Sequence, residues 1–306
     1  MVPVFIHPGF SNTGTSSLQI NLFSKRADIF FVGEPYKERG GIFTAIRSLE
    51  DMNFDGTKIQ RLSDKQIFDR ADGRPIVISD ETLTEAPQLF FRQFVMPRDV
   101  IAMRLKMLFP EAKIIFTIRE QRTRIASMYL NLKRNYAKFS NMPIPPFDEW
   151  FDAMISQVRS EYLHNLDYTS TIDLYCSLFG ERNVHILPIE LPTQAYYARL
   201  CAFMGLTLDA SVIPMLSERQ NRRLTIVEDA LLDSRGNKID VILEHLKKKL
   251  GSEAVEAAIK DAPPAYPELS KSRQDKIVSV VCRGNRTISE QFKLDLAKLG
   301  YAVMER

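Results

Sequence analysis

Along its first two thirds the chain alternates between two kinds of segment. Five short runs are apolar at nearly every position: VPVFI (2–6), DIFFVG (28–33), PIVIS (75–79), KIIFTI (113–118) and VHILPI (184–189). Between them lie longer stretches whose apolar residues recur at helical spacing, 15–25, 41–50, 97–109, 122–135 and 168–179. A half-exposed strand alternates apolar with polar, whereas a run apolar throughout predicts a parallel strand covered on both faces. Strand and helix repeated in this order predict right-handed crossovers and an α/β fold. The expected fold is a three-layer, doubly wound sheet of about five mainly parallel strands. Ligands of such sheets bind at the carboxyl ends of the strands.

After residue 193 the strand pattern stops. Helical periodicity continues at 193–204, 225–234, 238–250, 252–260, 271–282 and 286–299, broken by APPAYPE (262–268). The pattern divides the chain into an α/β core over 1–224 and a C-terminal helical segment over 225–306, packed on or beside that core. SNMPIPPF (140–147) reads as a long surface loop. No internal repeat or low-complexity tract is present.

Composition narrows the class without naming it. At 306 residues, 45% of them hydrophobic and 26% charged, the chain has the make-up of a globular protein with a sizeable core. A formal charge of +3 is too small to argue for nucleic acid or a membrane surface, so any basic character that matters is local. Cys176, Cys201 and Cys282 are far apart, which suits buried thiols in a reducing compartment. No metal-ligand spacing joins them to His7, His164, His185 or His245, and no metal is expected. VPVFI is shorter than a signal-peptide core, and no run approaches the ~20 apolar residues of a membrane span, so the expected location is cytoplasmic.

The first candidate chemistry follows the first strand. Gly9, Gly14, Thr15 and Ser16 spell G-x-x-x-x-G-T-S between a strand and a helix. Glycines let a backbone turn sharply and gather several N–H groups into one concavity, and a helix N-terminus adds unpaired donors. Ser11, Asn12, Thr13, Thr15, Ser16 and Ser17 supply polar side chains around it. A plain strand-to-helix turn would use the same residues. A nucleotide hydrolase would carry lysine after the second glycine, to reach the outer phosphates. Threonine there suits a nucleotide whose terminal group carries less charge and needs no metal.

The second candidate is KIIFTIREQRTRIASMYLNLKR (113–134). Arg119 emerges directly from an apolar strand at the ligand-binding edge, and the guanidinium fork matches phosphate oxygens. Ser127 lies on the following helix and can add a hydroxyl to the same group. Arg124 and Lys133 read as a solvated basic helix face. Two anion sites at the ends of two parallel strands imply one nucleoside carrying phosphate at both ends.

HPGFSNTGTSSLQ and IREQRTRIASMY together resemble the two signature segments of sulfotransferases that use 3′-phosphoadenosine 5′-phosphosulfate (PAPS), bacterial members in particular. DYTSTIDLYCSLFGERNVHILPIE, ending at Glu190, fits the same pattern, and the resemblance spans about residues 1 to 237. It implies a P-loop-NTPase-like fold, with the 5′-phosphosulfate in the 9–16 loop and the 3′-phosphate on Arg119 and Ser127. That family usually has Lys-Thr-Gly-Thr in its loop; this chain has Asn12-Thr13-Gly14-Thr15. Asn12 donates a hydrogen bond but no charge to the leaving phosphate, a loss worth about a hundredfold in rate. The sequence offers as substitutes the helix start at Thr15–Ser17, Arg122 or Arg222; loss of activity is the other outcome.

Sulfuryl transfer also needs an acceptor and usually a base. SDE (79–81) follows the third strand, and Glu81 is the first candidate base; Asp80 alternatively caps the turn and leaves Glu81 merely exposed. His7, at the end of the first strand, is the second candidate or a brace for the loop. In RQNRRLT (219–225), Arg222 is placed to close over the nucleotide or is simply solvated. Trp150 and Phe151 line an acceptor cleft or sit in a helix core, the core being favoured, and HLKKKL (245–250) reads as a solvated helix face. The leading expectation is therefore a PAPS-dependent sulfotransferase acting on a hydroxyl or amine of a carbohydrate, lipid-linked or other small-molecule acceptor. The alternatives are a catalytically impaired binder of PAPS or its product, and a nucleotide kinase or ATPase with a degenerate loop.

Overall fold

The computed structural model describes residues 2–33, 41–84, 96–139, 145–157, 166–208, 224–235 and 239–305. Arg222 with the rest of RQNRR (219–223), and most of the proline-rich stretch 140–147, lie outside the described residues. The chain forms two compact units. One comprises Met1–Glu120, Asp167–Gln220 and Cys282–Arg306, the other Gln121–Leu166 and Asn221–Val281.

The first unit contains the sheet. Strands β1 (Val4–His7), β2 (Phe30–Gly33), β3 (Ile76–Ser79), β4 (Lys113–Ile118) and β5 (Val184–Pro188) pair in the order β2-β3-β1-β4-β5. Every pairing is parallel. The chain leaves β1 toward β2 and β3 on one side, then crosses to β4 and β5 on the other. The switch point therefore lies between β1 and β4, the place at the carboxyl ends where sheets of this kind bind their ligands.

The parity of strand residues explains the uninterrupted apolar runs. Ile6, Ile76, Ile78, Ile114, Phe116, Ile118 and Ile186 face one layer. There they meet α2 (Ile42–Ser48), α3 (Gly56–Ser63), α4 (Arg98–Leu108) and α7 (Thr169–Phe179). Phe5, Val77, Ile115 and Leu187 face the other way. They pack on the helical run that begins with α1 (Thr15–Ser17) and on α8 (Thr193–Met204). Both faces bury large aliphatic side chains, each contributing about 1.5–3 kcal/mol, and an alternating polar residue on either face would forfeit that.

The second unit is helical, with α5 (Gln121–Phe139), α6 (Phe147–Gln157), α9 (Ile226–Arg235), α10 (Ile239–Leu250) and α11 (Ser252–Asp261). Tyr129 stacks on Phe147 at 4.7 Å, and Trp150 lies 5.4 Å from Tyr129. Trp150 and Phe151 are buried, as read from the sequence. Thr225 and Glu228 cap α9 reciprocally: Thr225 N–H donates to Glu228 Oε2 at 2.8 Å, and Glu228 N–H to Thr225 Oγ1 at 3.3 Å. Arg124 and Lys133 correct the solvated-face reading. Arg124 is 1% exposed, and Lys133, 5% exposed, donates to Asp229 at 2.6 Å.

Near the C-terminus the two expected helices 271–282 and 286–299 are one, α12 (Lys271–Gln291), followed by turns. Ile288, Leu294, Leu296 and Tyr301 belong to the core of the first unit. Gly284 lies inside this helix, where it serves close packing. A Cβ there would lie 2.6 Å from Thr169 Oγ1 and closer still to Asp167 Oδ1, the acceptor for Thr169 N–H at the start of α7.

Gly284→Ala should therefore destabilise the protein by about 1–3 kcal/mol through overpacking, although alanine by itself gains about 1 kcal/mol in a helix interior. Thermal unfolding checks this. An unchanged or raised melting temperature would mean that Asp167 yields without cost.

Candidate phosphate-binding site

β1 ends at His7 and the chain turns through Pro8–Gly14 into α1. Gly9 (φ 58°), Asn12 (φ 61°) and Gly14 (φ 87°) all adopt left-handed backbone. Glycine enters that region freely, and asparagine more readily than most residues with a side chain. A Cβ on Gly9 would lie 3.2 Å from Thr15 Oγ1 and 3.3 Å from His7 Nε2, so the loop is drawn tight against its own flanks. The carbonyl of Gly14 accepts from Ser17 N–H at 3.0 Å and Leu18 N–H at 3.3 Å, which starts the helix. The run then widens into a π turn, Leu18–Leu22, and closes with a 3₁₀ turn, Phe23–Lys25. Phe10 is driven into the core, 4.6 Å from Tyr168 and 5.4 Å from Phe116 between ring centres.

Beneath the loop lies a buried polar chain that crosses three strands. His7 Nδ1 is 2.8 Å from Ser79 Oγ, and His7 Nε2 is 3.1 Å from Thr117 Oγ1. Thr117 Oγ1 is 2.8 Å from Thr13 Oγ1, which donates to the carbonyl of Phe10 at 2.6 Å. Gln19, on the π turn, donates to Ser79 Oγ and to the Ser79 carbonyl, both at 3.1 Å. His7, Thr13, Ser79 and Thr117 are fully buried. Burial lowers the His7 pKa from 6.5 to about 3, so the ring is neutral and each nitrogen meets a hydroxyl. A residue in this position braces the loop.

The turn after β3 is tied to the same loop. Asp80 N–H donates to the His7 carbonyl at 3.1 Å, and the Thr84 hydroxyl donates to the Gly9 carbonyl. Asp80, 4% exposed, accepts from Thr82 N–H at 2.9 Å and Thr82 Oγ1 at 2.6 Å, with Arg47 Nη1 3.7 Å from its other oxygen. Asp80 is thus the cap the sequence suggested, and Glu81, half-buried, starts the 3₁₀ turn it caps.

From the other side of the switch point comes Arg119. Its guanidinium Nη1 donates to the carbonyl of Asn12 at 3.2 Å. Its backbone is held by Tyr168, whose hydroxyl donates to the Arg119 carbonyl at 2.7 Å and lies 3.3 Å from Arg119 N–H. The next peptide is held by Glu190, whose Oε1 accepts from Glu120 N–H at 2.8 Å. Burial pushes the Glu190 carboxyl above its ordinary value, against the opposing pull of that N–H, of Tyr301 and of Arg119.

The expected site residues are therefore distributed as follows. Gly9, Ser11, Asn12, Thr13, Gly14, Thr15 and Ser16 form one loop, Arg119 reaches it, and Glu81 lies in the turn that Thr84 joins to it. Thr13 turns its hydroxyl inward, and Thr15 is 3% exposed, while Ser11 and Ser16 are half-buried. Ser127 is carried by α5 in the second unit, and Arg222 is outside the described residues. Reading the sequence missed Ser79, Thr117 and Thr84. For Ser79 and Thr117 the signal was a polar residue at or next to the end of an otherwise apolar strand, as in VFIH, IVIS and IIFTI; Thr84, after the 3₁₀ turn, left none. Among the described residues no group of three or more His, Cys, Asp or Glu is arranged to hold a metal ion, and no helix is long and apolar enough to cross a membrane.

No protein-family model matches the chain, and no curated protein does. Among solved structures it is similar to a sulfotransferase from Alicyclobacillus acidocaldarius, at 20% identity and TM-score 0.49, over 84% of this chain and 99% of that one. It is also similar to the sulfotransferase domain of the Synechococcus PCC 7002 olefin synthase. There the identity is 13% and the TM-score 0.39, over 72% of this chain and 78% of that one.

Two outcomes follow from the loop. Because burial holds His7 neutral while the unfolded chain protonates near its ordinary 6.5, unfolding takes up a proton between that pH and about 3. Stability is then complete above the upper value and falls as pH drops through the window. His185, lowered to about 4 by burial and by Arg199, adds in the same direction. Urea midpoints at pH 7, 5 and 4 should fall more steeply for the unsubstituted protein than for His7→Gln; parallel curves would refute the assignment. Asn12→Lys should cost about 1 kcal/mol of stability, the penalty for a left-handed residue, whereas Asn12→Gly should be close to neutral in the same assay.

Proposed function

We propose that this protein is a PAPS-dependent sulfotransferase, transferring a sulfuryl group to a hydroxyl or amine of a carbohydrate, lipid-linked or other small-molecule acceptor. The observation that carries the reading is the hydrogen bond from Arg119 to the Asn12 carbonyl. It joins the two segments that resemble the family's anion-binding signatures, at the switch point where such sheets hold ligands. The tight loop with its left-handed glycines suits the 5′-phosphosulfate, and a cation lies within reach of the loop although its lysine is missing. The resemblance assigns Arg119 and Ser127 to the 3′-phosphate; Ser127 enters on the sequence motif alone.

In the proposed reaction the acceptor oxygen or nitrogen forms a bond to sulfur as the bond from sulfur to the 5′-phosphate oxygen breaks. The electron pair of that bond stays on the phosphate, and the products are the sulfated acceptor and adenosine 3′,5′-bisphosphate. Glu81 takes the acceptor proton. It is one residue beyond the cap Asp80 and three before Thr84, whose hydroxyl is bonded to the Gly9 carbonyl, so its turn is fixed to the loop. His7 is given no proton-transfer step: it is buried, and a hydroxyl sits at each of its ring nitrogens. Charge on the leaving phosphate is met by the backbone N–H groups of the loop and by the start of α1.

Titration calorimetry with adenosine 3′,5′-bisphosphate and with ATP tests the nucleotide half. The bisphosphate should bind without magnesium and more tightly than ATP, and the reverse order would favour a kinase or ATPase. Radiolabelled PAPS with an acceptor panel tests transfer. Glu81→Gln should lower turnover by about a hundredfold or more with bisphosphate affinity unchanged. Tight bisphosphate binding with no transfer to any acceptor would leave the chain a binding protein.

A further inference from the structure

Arg119 is an unusual place to invest in support. Two side chains from different parts of the first unit hold the peptides on either side of Arg119, and a third stands behind one of them. Tyr168, just before α7, brackets Arg119 itself, donating to its carbonyl at 2.7 Å. Glu190, two residues beyond β5, accepts the N–H of Glu120 at 2.8 Å on Oε1. Its other oxygen, Oε2, accepts the hydroxyl of Tyr301 at 2.7 Å. Tyr301 is 3% exposed and belongs to the last turns of the chain, which pack into the core through Leu294 and Leu296.

A carboxylate drawn out of water is costly unless its oxygens are hydrogen-bonded. Glu190 has a donor on each oxygen, both in the charge-assisted range. Closing a chain end onto the sheet could be done by an apolar contact, which Leu294 and Leu296 already make. A carboxylate in this position does something further: it fixes the direction in which the backbone leaves β4. The side chain of Arg119 starts from that backbone and reaches the Asn12 carbonyl 3.2 Å away. A long flexible side chain finds a single target well only when its root is fixed.

We infer that Glu190 and Tyr301 are positioning residues for Arg119, and that the C-terminal turns are thereby part of the nucleotide site. The inference rests on the proposed nucleotide-binding function and deepens it. Glu190 touches no reacting atom in this scheme; it acts through the peptide it holds and through the charge it sets beside Arg119.

The test is a double-mutant cycle read by calorimetry with two probes, adenosine 3′,5′-bisphosphate and AMP. Arg119→Ala should weaken bisphosphate binding by about tenfold to a hundredfold, the loss expected for hydrogen bonds to charged groups. Glu190→Ala should weaken it by about tenfold with the unsubstituted Arg119 present. In the Arg119→Ala background Glu190→Ala should have no further effect, because a residue that works only through Arg119 has nothing left to position. Tyr301→Phe, which keeps the packing and removes the donor, should show the same pattern at about threefold and serves if Glu190→Ala does not fold. Both single variants should change bisphosphate affinity more than AMP affinity. Equal losses on both probes, or equal losses in both backgrounds, would overturn the inference and leave a purely structural role. Binding of neither probe by the unsubstituted protein would overturn the functional reading and the inference with it.

Discussion

The short buried chain of hydrogen bonds under the loop is the constraint on which the rest of the site depends. Ser79, His7, Thr117 and Thr13 belong to β3, β1, β4 and the loop itself, and each polar atom in the series has its partner among the others or on the Phe10 carbonyl. A buried polar group left without a partner costs about 1–3 kcal/mol, so the series is formed whole or becomes a liability. A neutral imidazole suits the middle of such a series. It offers one donor and one acceptor: because Thr13 donates to the Phe10 carbonyl, Thr117 donates to Thr13, His7 Nε2–H donates to Thr117, and Nδ1 accepts from the Ser79 hydroxyl. The three strands are thereby locked in register at their carboxyl ends, where loops rather than ladders would otherwise set the geometry.

That lock decides what the loop can present. With Thr13 turned inward and Phe10 anchored between Tyr168 and Phe116, the backbone between them has little freedom. A left-handed residue between them is the consequence: the chain has to reverse between two fixed anchors. Asn12 falls on that position, at φ 61°. The asparagine that looked out of place by comparison with a lysine-bearing loop is in place by backbone conformation. Thr84 and Asp80 then fasten the turn after β3 to the same loop, so the candidate base and the candidate anion loop are held as one piece.

How legible this was differs by level. The five strands were readable because both faces of the sheet are buried, which removes polar residues from the runs; β4 (Lys113–Ile118) matches its predicted limits. The α12 region was read as two helices with Gly284 in the gap between them; what calls for that glycine is the approach of Asp167 and Thr169, more than 110 residues earlier in the chain, which no local window contains. Arg124 and Lys133 were misread for the same reason: a lysine at helical spacing looks solvated until Asp229, 96 residues on, is known to meet it. In the site, the loop and Arg119 could be located from residue types and spacing. Which hydroxyls point into the protein could not, because burial is set by strands that only the fold brings together. The π turn at Leu18–Leu22 likewise left no mark in the periodicity, although it carries the Gln19 that reaches Ser79.

The placement of charge follows from these constraints. A lysine at the Asn12 position would stand on left-handed backbone already committed to its anchors. Arg119 instead grows from the end of β4, a rigid root, and reaches the loop from outside at Asn12. The price is that a long side chain must be aimed, and the aim is supplied by groups that do not belong to the loop: Tyr168, Glu190 and, through Glu190, Tyr301. Glu190 also tempers the field it supports, since a carboxylate beside a guanidinium lowers the net positive potential that an anion meets. A site built in this way depends more on geometry than on charge density. Geometry of that kind is what holding a bound group in line with an incoming atom requires.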